Sequence, residues 1–152
     1  MWIPPEDADP TVLQYPTRKS VSVFGAVNIR TGRFVGMISN VFNAQTFLKF
    51  LDVLIKRGEG KKIQVILDNA SYHHAKLLAS WLDEHKEQLF LDFLPSYSPK
   101  LNPIERVWKF MRRLKLHNQY FPTFNGIVKV VAKQFLQWVG ENENLRSLCH
   151  ME

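Results

Sequence analysis

Ile63–Leu67 (IQVIL) is a short, nearly continuous apolar run that gives way at once to Asp68 and Asn69. Runs of this kind read as strands buried on both faces, as in parallel sheets. A strand of that type demands helices above and below it, and the flanking sequence supplies them. Asn43–Arg57 places Phe47, Leu51, Leu54 and Ile55 at helical spacing, with Asn43 to cap it and Gly58 and Gly60 to end it. Ala75–Lys86 turns Leu77, Leu78, Trp81 and Leu82 inward, and Leu89–Leu94 is the next strand.

Upstream, Ser20–Ile29 alternates, with Val21, Val23, Val27 and Ile29 on one face. Arg30-Thr31-Gly32-Arg33 is a turn and Phe34–Ser39 a second strand, which together predict a β-hairpin. Downstream, Pro95 and Pro99 keep the loop 95–101 irregular. Asn102 then opens a helix to about His117, with Ile104, Val107, Trp108, Met111 and Leu114 on its apolar face. Its other face carries Arg106, Lys109, Arg112, Arg113 and Lys115. A last helix, about Phe124–Val139, buries Phe124, Ile127, Val131, Phe135 and Trp138. The order β-β-α-β-α-β-α-α implies an α/β fold, a mixed sheet flanked by helices. Residues 1–17, with Pro4, Pro5, Pro10 and Pro16 among Glu6, Asp7 and Asp9, read as an irregular Pro-rich arm ahead of one domain over 18–152.

The 152 residues are 45% hydrophobic and 22% charged, a globular balance that permits a sizeable core. No apolar run is long enough to cross a bilayer, and the single cysteine, Cys149, excludes an internal disulfide. The expected location is the cytoplasm, at the nucleoid. The net charge of +6 favours polyanionic partners.

Two acids stand where a strand or loop gives way to a helix: Asp68 in VILDNASYHH and Glu105 in LPSYSPKLNPIERVWKFMRR. Sites in sheets of this type form beyond the carboxyl ends of the strands, where Asp68 falls. Two carboxylates at one point need a cation between them. In a chain without a cysteine cluster, a hard divalent ion with oxygen ligands suits them. Structural roles compete at each position. Asp68-Asn69 can simply turn the chain. Glu105 can close a capping box from the third helical position onto Asn102, with Pro103 at the first. The two roles of Glu105 are compatible, since a first-turn Glu is rigidly held. His73 and His74 are adjacent, face different ways and do not share a metal. The basic face beyond Glu105 can be a solvated helix face or can grip phosphates flanking the metal.

LDNASYHHA followed by FLPSYSPKLNPIERVWKFMRR resembles the DDE catalytic domain of mariner-like transposases, especially the bacterial insertion-sequence branch. The hairpin SVFGAVNIRTGRFVG and the helix NAQTFLKFLDVLI share that likeness, which spans about Trp2 to Phe121. The resemblance implies an RNase H-like fold in which three acids hold two Mg²⁺ (or Mn²⁺) ions for in-line attack on a DNA phosphodiester. It makes Asp68 the second acid and Glu105 the third, both catalytic and metal-holding. Asn69 would orient Asp68, and Asn102 and Pro103 would fix the helix presenting Glu105. Arg106, Lys109, Arg112 and Arg113 become candidates for DNA contact.

The family's opening strand and first Asp would precede Trp2-Ile3-Pro4, so the expectation is that they are missing from this chain. Glu6, Asp7 and Asp9 have nothing in their setting to fix the geometry a ligand needs. The chain therefore reads as part of a transposase for metal-dependent strand cleavage and transfer, inactive alone. Its partners would be transposon ends and target DNA, with a further transposase chain completing it, weakly suggesting a dimer. A second reading is a non-catalytic DNA-binding or assembly module for a full-length transposase. A third, a host nuclease of RNase H type, is opposed by the Ser-Pro-x-Leu-Asn-Pro loop.

Overall fold

The structure, a computed structural model, describes residues 22–69 and 76–150. The Pro-rich arm, Trp2-Ile3-Pro4, the three arm acids, Val21, His73 and His74 all lie outside the described residues. Strands β1 (Ser22–Val27) and β2 (Phe34–Ser39) are followed by α1 (Ala44–Arg57), β3 (Ile63–Leu67), α2 (Lys76–Glu84) and β4 (Leu89–Phe93). A 3₁₀ turn (Pro99–Leu101) leads into α3 (Ile104–Met111), which runs on as a π-helical turn (Arg112–Leu116). Helices α4 (Phe124–Gln137) and α5 (Glu143–Leu148) complete the described chain. The fold is mixed α/β, as the sequence implied.

The chain divides into two compact units, one formed by residues up to Ile38 together with those from Pro103 onward, the other by Ser39–Asn102. In the first unit, β1 and β2 pair as the expected hairpin. Its turn is drawn tight by Asn28: the backbone N–H donates to Arg33 O (2.8 Å), and the side-chain Oδ1 accepts from Arg30 N–H (2.9 Å). Phe34 then anchors an aromatic cluster. Its ring meets Trp108 edge-on at 5.7 Å and Trp138 edge-on at 5.4 Å, and tilts over Phe135 at 5.0 Å. Val107, Ile127, Val131 and Leu145 fill the space around these rings. Gly25 lies directly beneath Trp108, where a Cβ would overlap the indole.

In the second unit, α1 begins with a reciprocal capping box. Asn43 Oδ1 accepts from Thr46 N–H (2.9 Å) while Thr46 Oγ1 accepts from Asn43 N–H (3.0 Å). Phe47, Phe50, Leu51 and Leu54 bury its inner face, and α1 packs on α2. Strands β3 and β4 run parallel, in register from Ile63 opposite Leu89 to Leu67 opposite Phe93.

Three expectations need correction. The run 63–67 is not buried on both faces: Gln64 and Ile66 are exposed, as are Phe90 and Asp92 beside them. The polar Gln64 decides this, for its Nε2 donates across the pair to Asp92 Oδ2 (2.9 Å) and so keeps that face wet. The helix from Asn102 does not stay α-helical to His117. The N–H of His117 donates to Arg112 O (2.8 Å), five residues back, and the inserted residue turns Leu114 outward and Leu116 inward. Leu77, expected inward on α2, is half exposed, and Leu78 takes the buried position. Helix α5 was not anticipated at all.

Candidate active site

β3 ends in the buried Leu67, whose carbonyl accepts from Leu94 N–H (2.8 Å) and so carries the parallel ladder one residue past β4. That last rung holds the two chain exits side by side. Asp68 leaves β3 there, half-buried, with Oδ1 shielded from solvent. Asn69 is exposed, and its Nδ2 donates to Ser96 Oγ in the loop that leaves β4, a long bond of 3.4 Å. The strand end, Asn69 and the 94–98 loop thus form one connected corner of the Ser39–Asn102 unit. Asn102 closes that unit, 5% exposed and extended, with its N–H donating to Pro99 O (3.0 Å).

Glu105 belongs to the other unit. It lies in the first turn of α3, after a proline already in helical conformation (φ −58°, ψ −27°). Proline suits that place because its missing N–H would have found no intrahelical acceptor. Glu105 is 8% exposed, among the few buried polar side chains of the described residues. An ionised carboxylate is rarely buried unless something compensates it. The helix N-terminus supplies part of that compensation, its free N–H groups favouring a negative charge in the first turn.

The basic residues of this helix differ from one another. Lys109 and Arg113 are exposed, with the Arg113 guanidinium 5.9 Å from the centre of the Phe110 ring. Arg112 is half-buried. Arg106 is committed within its own unit: Nη1 donates to Leu148 O (3.0 Å) and His150 O (2.8 Å), the carbonyls at the end of α5. The sequence offered no sign of this, since the partner is a backbone more than forty residues away. Ser96 was likewise not singled out; its place between Pro95 and Pro99 after a strand was the available signal. Among the described residues no group of three His, Cys, Asp or Glu side chains is placed to hold a metal ion.

Residues 2–127 match the family described as DDE superfamily endonuclease. A curated relative, an uncharacterized protein (y4pE/y4sA) of Sinorhizobium fredii strain NBRC 101917 / NGR234, is 33% identical over 107 residues, covering 70% of this chain and 76% of that protein. Among solved structures, the catalytic domain of Mos1 mariner transposase superposes with a TM-score of 0.63 at 17% identity, over 86% of this chain and 67% of that one. The Mos1 strand transfer complex gives 0.61 at 19% identity, over 90% of this chain but 41% of that one. At such identities the likeness is one of fold, and the fold is RNase H-like. With the family match covering most of its length, this chain belongs to the DDE superfamily of endonucleases.

Proposed function

We propose that this chain supplies acids for metal-dependent cleavage and transfer of DNA strands, with Asp68 and Glu105 as carboxylates that hold Mg²⁺ or Mn²⁺. The observation that carries the reading is the Glu105 side chain, buried to 8% exposure in the first turn of a helix that begins on proline. A buried acid so placed is kept in one geometry, as a ligand must be. The donor set fits a hard cation: carboxylate oxygens, one of them the shielded Oδ1 of Asp68. A divalent ion bound there polarises a phosphodiester and lowers the pKa of a bound water or hydroxyl.

The remaining roles belong to the chain itself. Asn69 orients the strand end at Asp68, and Asn102 and Pro103 set the start of α3. Lys109, Arg112 and Arg113 neutralise phosphates on either side of the reacting one. A solved Mos1 catalytic domain contains Mg, and a Mos1 paired end complex contains Mn. By analogy the partners of this chain are transposon ends, target DNA and a further transposase chain. Among the described residues no helix is long and apolar enough to cross a membrane, and a nucleoid-associated cytoplasmic location suits a DNA substrate. Mg²⁺ often keeps most of its waters and uses one or two carboxylates, so two acids give weak binding. The isolated chain is accordingly expected to cut DNA slowly or not at all.

The test is Mn²⁺ binding followed by electron paramagnetic resonance, with Asp68→Asn and Glu105→Gln beside the wild type. Each substitution should weaken Mn²⁺ by about tenfold or more, within the range seen when ligand shells are disturbed. Wild-type affinity in both variants would refute the assignment. The exposed cations Lys109 and Arg113 favour one other reading, an assembly module that binds DNA without chemistry. It prevails if both acid substitutions leave every activity of the chain, alone or with a full-length transposase, unchanged.

A further inference from the structure

The loop that leaves β4 carries a feature that the acids do not account for. Tyr97 is fully exposed, at 102% of its reference surface, and its backbone is left-handed (φ +57°). A bulky side chain at positive φ is strained and persists only where the surroundings enforce it. Here they do. Leu94 N–H is fixed to Leu67 O, Ser98 Oγ donates to Ser96 O (3.3 Å), and Leu101 N–H donates to Ser98 O (3.1 Å). Pro95 and Pro99 stiffen the chain on both sides. The loop therefore holds a large aromatic ring out in water on a backbone that a smaller residue would occupy more easily.

The position of that ring has meaning. Ser96, its neighbour, accepts the hydrogen bond from Asn69, and Asn69 follows Asp68. Lys100, three residues further on, is exposed as well. An exposed aromatic ring and an exposed cation a few residues apart on one loop are the two kinds of group by which proteins hold single-stranded nucleic acid, the ring stacking on a base and the cation meeting a phosphate. The geometry points to Tyr97 as a stacking platform for an unpaired nucleobase next to the Asp68 strand end, with Lys100 on the adjoining phosphate. This rests on the reading of the chain as DNA-acting and names a contact for it: a base that has left, or never entered, the duplex. A stacking ring is indifferent to base identity, so the platform selects for the unpaired state of the base.

The test uses a short DNA duplex with a two-nucleotide 3′ overhang bearing 2-aminopurine, titrated with the full chain in EDTA. Wild type and Tyr97→Phe should quench the probe on binding. Tyr97→Ala should lose the quenching and weaken overhang binding by about tenfold. Its affinity for a blunt duplex and the slope of affinity with salt should not change, because phosphate contacts survive. Tyr97→Gly should lose the quenching too, yet melt at no lower temperature than wild type, since glycine accepts the left-handed backbone without strain. Unchanged quenching and affinity in Tyr97→Ala would overturn the assignment, as would an equal loss on blunt duplex. Because metal is absent, Asp68→Asn should stack the base as wild type does. Failure of the metal reading would therefore appear in Mn²⁺ affinity alone and leave this result standing.

Discussion

At the scale of single residues, two glycines determine how closely the first unit can pack. Gly25 leaves room for the Trp108 ring to lie on bare backbone. Gly32, in the hairpin turn with φ +73°, would place any Cβ against Asn142 O, at the start of α5. Gly25→Ala should destabilise the fold by about 1–3 kcal/mol, the usual range for overfilling a packed site. The check is a lower denaturant midpoint at unchanged m-value. The residues best read from sequence were those whose neighbours in the chain explain them. Asn43 caps α1 because Thr46 lies three places on, and Asp68 ends a strand because the apolar run stops there. Phe24, 1% exposed, was not legible, because it lies on the hairpin face opposite the alternating valines. The φ of Tyr97 was hidden too, since nothing in Ser-Tyr-Ser demands a left-handed residue.

At the scale of elements, α5 shows how a short helix is held. Six residues are too few to be stable alone, and the ends carry the helix. Asn142 Oδ1 accepts from Leu145 N–H (3.0 Å) at one end, and Arg106 takes the carbonyls of Leu148 and His150 at the other. Arg106→Ala should cost about 1 kcal/mol, a figure kept low because these bonds are exposed. A sharper readout is Cys149, 3% exposed, whose thiol is pushed above its ordinary pKa by burial and drawn back in part by Arg106. In Arg106→Ala, Cys149 should react faster with a thiol reagent as the helix end frays. Glu143 and Arg146 form a bidentate pair in the same helix (2.7 and 2.8 Å), and the hydrogen bond from Arg146 holds the Glu143 carboxyl below its ordinary value. A lowered carboxylate pKa stabilises above the unfolded value and is lost as pH falls through the folded one. The Glu143 carboxyl resonance should therefore titrate below 4.5 in the wild type and return toward 4.5 in Arg146→Ala. Long amphipathic elements such as α1 and α4 announced themselves by period. The π-helical turn did not, because one inserted residue leaves the composition of the apolar face unchanged while moving Leu116 into it.

At the scale of the molecule, the two units are stabilised differently. The unit with the hairpin, α3, α4 and α5 has the clustered rings of Phe34, Trp108, Phe135 and Trp138. The Ser39–Asn102 unit relies on aliphatic and phenylalanine contacts beneath a two-stranded parallel sheet whose other face is exposed. Two strands with one wet face make a weak cooperative element. Amide exchange at Val65 and Leu91 should therefore be faster than at Val107 and Ile127, which native-state exchange by NMR would read. Reversed order would mean that the aromatic cluster is not the more stable centre. The seat of Trp108 also provides an optical signal. Its indole N–H is buried and has no hydrogen-bond partner among the described residues, and its ring lies one turn from Glu105 on the same helix. An indole so sheltered emits toward the blue, and any event that lifts α3 from the hairpin would shift that emission to the red. With Trp2, Trp81 and Trp138 replaced by phenylalanine, that one indole would report, without any added label, whether the helix bearing the buried acid is in place.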